Sequence, residues 1–124
     1  MKKRVLLSIH PEFADAIFDG RKHYEFRRVI FKENVDEIVV YATAPVSRVI
    51  GSFRIEDIYE GSPTELWERT KAAAGVSKQK FDEYFGGRTR AFAIKVSRPT
   101  LFNKPEPLSS FLPSNTAPQS FCYI

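Results

Sequence analysis

Hydrophobic positions alternate along the first stretch of the chain. Val5, Leu7 and Ile9 fall on one parity and Arg4, Ser8 and His10 on the other, the period-two pattern of a strand. Leu6 breaks the alternation, which predicts a central strand buried on both faces. Pro11 suits the first turn of a helix, where its missing N–H is not needed. Phe13, Ala16 and Ile17 form the inward stripe of a helix over Pro11–Asp19, and Gly20 stops it. The chain then extends, with Tyr24 and Phe26 on one face and His23, Glu25 and Arg27 on the other.

A polar stretch, Val29–Asn34, reads as a loop, and Asp36–Ala42 reads as a strand that Ala44-Pro45 breaks. Ile50–Tyr59 is the next strand. Phe53 and Ile55 share a parity that Ile58 does not, which predicts a bulge near Glu56-Asp57. Gly51 inside this strand predicts the close approach of another backbone. Ser62 and Glu65 are spaced as a capping box for a helix that carries Leu66, Trp67 and Thr70 and stops at Gly75. A second helix starts at Ser77, shows Phe81, Tyr84 and Phe85 on one face, and ends at Gly86-Gly87. Arg90–Arg98 is the last clear strand, with Phe92, Ile94 and Val96 on one side. Leu7, Ile17, Phe26, Val39, Phe53 and Phe92 are the expected core.

From Pro99 onward the texture changes, since five of the eight prolines lie there. Phe102, Phe111, Phe121 and Tyr123 argue that this segment is ordered. The order β-α-β-β-β-α-α-β suits a mixed β-barrel with helices at its rim. At 124 residues with 43% hydrophobic content, the chain suits one domain spanning residues 1–124, with the Pro-rich segment 99–124 packed on it.

Composition narrows the function classes. No run approaches the roughly 18 apolar residues a membrane span needs, and the apolar run after Met1-Lys2-Lys3-Arg4 is too short for a signal peptide. A cytoplasmic protein is the expectation. One cysteine, Cys122, excludes an internal disulfide, and with only His10 and His23 a metal centre is not expected. No cofactor motif is present. The net charge of +4 favours polyanionic partners such as nucleic acid. Residues 69–104 hold nine Lys or Arg against only Asp82 and Glu83.

The charges of the extended run call for an explanation. Gly20, Lys22, Glu25 and Arg27 form a G-x-K-x-x-E-x-R pattern between a strand-helix pair and a following strand. With Ser8-Ile9-His10-Pro11, the stretch from Val40 to Ser47 leading to Ile50-Gly51, and Pro118-Gln119-Ser120-Phe121, this pattern resembles the ASCH domain, a member of the PUA-like superfamily. The resemblance implies an α+β, mainly β, PUA-like barrel and a ligand cleft beside the motif. It favours a nucleic-acid-associated binding module whose partner is RNA or a nucleotide or nucleoside, modified or not.

In that picture Lys22 neutralises a phosphate or developing oxyanion. Glu25 accepts from an exocyclic amine of a base, and Arg27 forks onto phosphate or stacks on a ring. Arg28 meets backbone phosphate, while Ser8 and His10 form another wall, His10 otherwise capping the helix, and Tyr41 and Thr43 line the same cleft unless Tyr41 is a core residue with a wet hydroxyl. The alternatives are a small hydrolase acting on acylated cytidine-type nucleosides or on RNA, with Lys22 and Glu25 as catalytic groups, and a protein-interaction or regulatory domain without ligand. One bacterial branch resembling this family hydrolyses acylated cytidine nucleosides with a lysine and, three residues on, a threonine. Lys22 keeps the first role, but Glu25 stands in the threonine's place. Glu65 and Glu68 are candidate second acids, and Ser120 has no local motif that would mark it as a nucleophile.

Overall fold

The computed structural model describes residues 2–124. In chain order the elements are β1 (Lys3–Ile9), α1 (Pro11–Phe18), β2 (Tyr24–Arg27), β3 (Val35–Ala42), β4 (Arg48–Gly61), α2 (Pro63–Thr70), α3 (Lys78–Phe85), β5 (Ala91–Glu106) and β6 (Phe121–Tyr123). Short 3-10 turns cover Lys71–Ala73 and Leu108–Ser110. The six strands form one sheet in the order β2-β5-β4-β3-β1-β6, curled into a half-barrel with the three helices around it. β1 and β3 run parallel and every other pair is antiparallel. The sheet stays open, with β2 at one edge and β6 at the other. No helix among the described residues is long and apolar enough to cross a membrane.

Local chemistry explains the element boundaries. His10 stands at the N-cap of α1, with its carbonyl accepting from Phe13 and Ala14. Gly20 follows the helix at a φ of +88°, a left-handed conformation that only glycine adopts without cost. Ser62 and Glu65 form the reciprocal capping box of α2, and Ser77 caps α3 by accepting from the Lys80 N–H. The β4–β5 register shifts between Ile55 and Asp57, at the expected bulge.

Three apolar clusters hold the sheet. The first packs Val5, Leu7, Ile38, Val40, Phe53 and Ile94 against Ala14 and Ile17 of α1. The second sets Phe26, Ala91 and Ala93 against Leu66, Phe81 and Phe85 of α2 and α3. The third lies on the other face of β1 and β3, where Leu6, Val39 and Tyr41 meet Leu108 and, more loosely, Phe111, Leu112 and Ile124. Leu6 is therefore buried because the C-terminal segment covers the face opposite Leu7. Of the expected core, Leu7, Ile17, Phe26 and Phe53 are buried, Val39 is buried under the C-terminal segment, and Phe92 is only half-buried.

The last strand differs from its expected end at Arg98, because β5 runs on through Pro99 and Pro105 to Glu106. Beyond Lys95 the strand has β4 beside it and no longer β2. A free edge tolerates proline, whose missing N–H breaks no ladder there.

At Gly51 the expected close approach is present, with an added Cβ falling 2.5 Å from the Thr100 carbonyl oxygen and 2.8 Å from the Phe18 ring. Gly51→Ala should therefore destabilise the fold by about 1–3 kcal/mol, the usual range for overpacking. A denaturation midpoint equal to that of the wild type would show that β4 and β5 can separate at that point without cost.

Candidate functional site

A cavity of about 520 Å³ opens where the end of β1, the first turn of α1, β2 and α3 converge. Lys22, Glu25 and Arg27 all line it, together with Ser8, His10 and Arg28. The sequence placed these charges at the core's edge. The structure buries them more deeply, with Lys22 3% exposed, Glu25 6% and Arg27 8%.

Lys22 is fixed by both backbone and stem. Its N–H donates to the Ala16 carbonyl and its Nζ donates to the Ala74 carbonyl at 3.0 Å. The ammonium lies 4.6 Å from the Phe26 ring centroid and 5.4 Å from that of Phe13, close enough for cation–π attraction. Gly75, at a φ of +66°, packs against its stem, and a Cβ there would collide with the Lys22 Cβ. Burial pushes the Lys22 pKa below the ordinary 10.5, and the Glu25 charge offsets part of that shift.

Glu25 and Arg27 sit two apart on β2 and so share a face. Arg27 Nη1 donates to Glu25 Oε2 at 3.1 Å and to the Ser8 carbonyl at 3.4 Å. Arg27 Nη2 donates to Ser120 Oγ at 2.7 Å, while Nε is buried with no partner among the described residues. Arg27 thus reaches from the β2 edge to β1 and to the residue before β6. Ser8 contributes its carbonyl to Arg27, because its hydroxyl donates to the Pro118 carbonyl at 2.7 Å. Arg28 is exposed and its guanidinium lies 4.4 Å from the Tyr84 ring centroid. Burial pushes the Tyr84 hydroxyl pKa upward.

Tyr41 and Thr43 do not line this cavity. Tyr41 packs in the cluster under the C-terminal segment, on the other face of β3. Thr43 leads the turn after β3, donating its N–H to the Ile9 carbonyl and accepting from Val46 and Ser47. Glu65 is used in the capping box and Glu68 pairs with Lys71 at 2.8 Å; neither lines the cavity. Trp67 is half-buried against Phe81 at 5.0 Å.

The sequence reading missed Phe13, Lys80, Tyr84, Arg88, Gln119 and Ser120 as cavity residues. Phe13 and Tyr84 had been read only as helix stripes, and Lys80 and Arg88 only as members of a basic run. Ser120 meets Arg27 across 93 positions of sequence, so no local motif marks it.

Comparison with known proteins follows the same residues. The family model described as the ASCH domain matches residues 7–99. The chain is 34% identical over 126 residues to the ASCH domain-containing ribonuclease of Zymomonas mobilis, covering 99% of this chain and 85% of that protein. It is 32% identical over 124 residues to the ATP synthase subunit alpha of Ureaplasma parvum, but spans only 15% of that protein's length. The crystal structure of ASCH from Zymomonas mobilis superposes with a TM-score of 0.90 at 34% identity, covering 98% of this chain and 87% of that one.

The buried lysine makes a prediction about stability. Between its lowered folded pKa and 10.5, the unfolded chain carries a proton that the folded chain has shed, so stability rises with pH across that window. Below the window both states are protonated and the full cost of burying the charge remains. The stability of Lys22→Met relative to wild type should be greatest below the lowered folded pKa and decline from there toward pH 10.5, measured by urea denaturation over a pH series. A pH-independent difference would mean that Lys22 stays charged in the fold.

Proposed function

The chain belongs to the ASCH domain family, and from that premise and the cavity we propose that it binds single-stranded RNA and cleaves it. The observation that carries the reading is the burial of Lys22 next to the Glu25–Arg27 pair, in a cavity whose lining also holds Arg28, Lys80 and Arg88. Four cations besides Lys22, against one carboxylate, suit a phosphodiester chain. Phe13, Phe26, Phe81 and Tyr84 add apolar and aromatic surface for a base. The ribonuclease named among its relatives matches nearly the whole chain, which favours RNA over other polyanions.

Each buried group has a role in this reading. Lys22, whose ammonium form is disfavoured by burial, takes the proton of a ribose 2′-hydroxyl as general base. The 2′-oxygen then bonds to the adjacent phosphorus and the bond from phosphorus to the 5′-oxygen breaks. The products are a 2′,3′-cyclic phosphate and a 5′-hydroxyl, the latter protonated from solvent. Arg27 stabilises the charge that gathers on the phosphoryl oxygens. Glu25 orients the guanidinium and accepts from an amine of the bound base. Ser8 contributes through its carbonyl, and His10 and Arg28 act at the mouth.

The test is cleavage of an RNA oligonucleotide beside a copy with one 2′-deoxy position, a DNA of the same sequence and an N4-acylated cytidine. Wild type should cut the RNA, leave the deoxy position intact and release no acyl group. Folded Lys22→Met should lose at least about 100-fold in rate, the lower end of general-base effects, and the wild-type rate should rise with pH. Glu25→Gln should lose activity and change the preferred base. An inert wild type, or a folded Lys22→Met with full activity, would sink this assignment, and acyl release alone would favour the amidohydrolase branch.

A further inference from the structure

The cavity continues into a shallower basin of about 380 Å³, and the two share His10, Phe13, Lys80 and Tyr84. At that junction Lys80 of α3 donates from Nζ to Glu12 Oε1 of α1 at 2.7 Å. The two residues are 68 positions apart, so the ion pair ties together two helices that flank the opening. Lys80 lines the main cavity and the basin, whereas Glu12 lines only the basin. Both side chains are about half exposed, at 53% and 57%. Lys80 holds the Glu12 carboxyl below its ordinary range, first through their hydrogen bond.

We propose that Glu12 is a built-in competitor for the ligand's phosphate, occupying Lys80 until a polyanion displaces it. The inference rests on the polyanion-binding reading of the cavity. A carboxylate and a phosphate oxygen seek the same geometry at an ammonium, so one must leave when the other arrives. An exposed ion pair of this kind is weak, and the exchange is therefore reversible. A chain of phosphates that also engages Arg28 and Arg88 overcomes the competition, whereas a lone anion gains only what Glu12 already supplies. The pair thus selects polyanions at the entrance, and Lys80 and Glu12 are specificity-determining residues that take no part in the chemical step.

The fit with neighbouring carboxylates provides a control. Glu83 lines the same basin but accepts from Gln79 Nε2 at 3.2 Å instead of from a cation. Removing its charge changes the local field without releasing Lys80.

The experiment measures affinity for a single-stranded RNA oligonucleotide and for inorganic pyrophosphate, with wild type, Glu12→Gln, Glu83→Gln, Lys80→Gln and the Glu12→Gln/Lys80→Gln double variant. Glu12→Gln should tighten binding about two- to fivefold, the scale of one exposed ion pair. The gain should shrink as salt is raised, since exposed charges are screened. It should be absent in the Lys80→Gln background and smaller in Glu83→Gln. A gain with pyrophosphate but no binding of RNA would overturn the RNA reading and leave this one standing. The proposal is overturned if Glu12→Gln alters neither affinity, if its gain persists without Lys80, or if Glu83→Gln matches it.

Discussion

The arrangement on which the rest depends is the Arg27 guanidinium lying across the open seam of the sheet. β2 and β6 are the free edges, and no backbone ladder joins them. Arg27 bridges the gap instead, with one bond to Glu25 on its own strand, one to the Ser8 carbonyl on β1 and one to Ser120 beside β6. Taking such a pair out of water costs several kcal/mol per ion and is offset only by good geometry and further hydrogen bonds. Here the offset is incomplete, because Arg27 Nε is buried without a partner among the described residues. An apolar seam of similar volume would hold the strands together at least as well. The polar seam is thus not explained by what it adds to stability, and the proposed polyanion site gives it a use.

Lys22 follows from the same geometry. The turn after α1 brings the chain from the helix to the β2 edge, so its side chain enters beside the seam. Its stem is gripped by Gly75 and its ammonium lies between two phenylalanine rings. One carbonyl, that of Ala74, accepts from it. The low-dielectric surroundings that disfavour its charge also strengthen the field of its neighbours, since screening is weak where water is sparse. Positioning and tuning therefore come from the same packed residues.

Much of this was legible in the sequence, for reasons that differ between elements. The β1 to β2 segment was readable because Pro11, Gly20 and the period-two alternation at Tyr24–Arg27 are local signals, and so were the Ser62–Glu65 box and the bulge near Asp57. The end of β5 was not readable, since Pro99 and Pro105 suggest a break and only the free edge makes them tolerable. Tyr41 could be cleft or core from the sequence, because strand position alone does not say which face the C-terminal segment covers; the fold puts it in the core. Lys22, Glu25 and Arg27 were found through a pattern on one short stretch. Their partners Ala74 and Ser120 come from distant positions that only the fold brings together.

Charge gives the clearest case of the difference between sequence position and surface position. The basic run from 69 to 104 looked like one field, but the fold divides it. Arg69 stacks over Tyr59 at 3.7 Å, Lys95 pairs with Glu56 and Arg90 with Glu60, all away from the cavity lining. Only Lys80 and Arg88 of that run line the cavity, where they join Lys22, Arg27 and Arg28 from the β2 region. The stop of α3 at Gly86, with its φ of +54°, turns the chain so that Arg88 follows within the same rim. The positive field at the cavity is therefore assembled from two short stretches that both line it. A modest net charge of +4 is enough to produce it, because the carboxylates are mostly engaged elsewhere and, among the described residues, only Glu25 lines the main cavity.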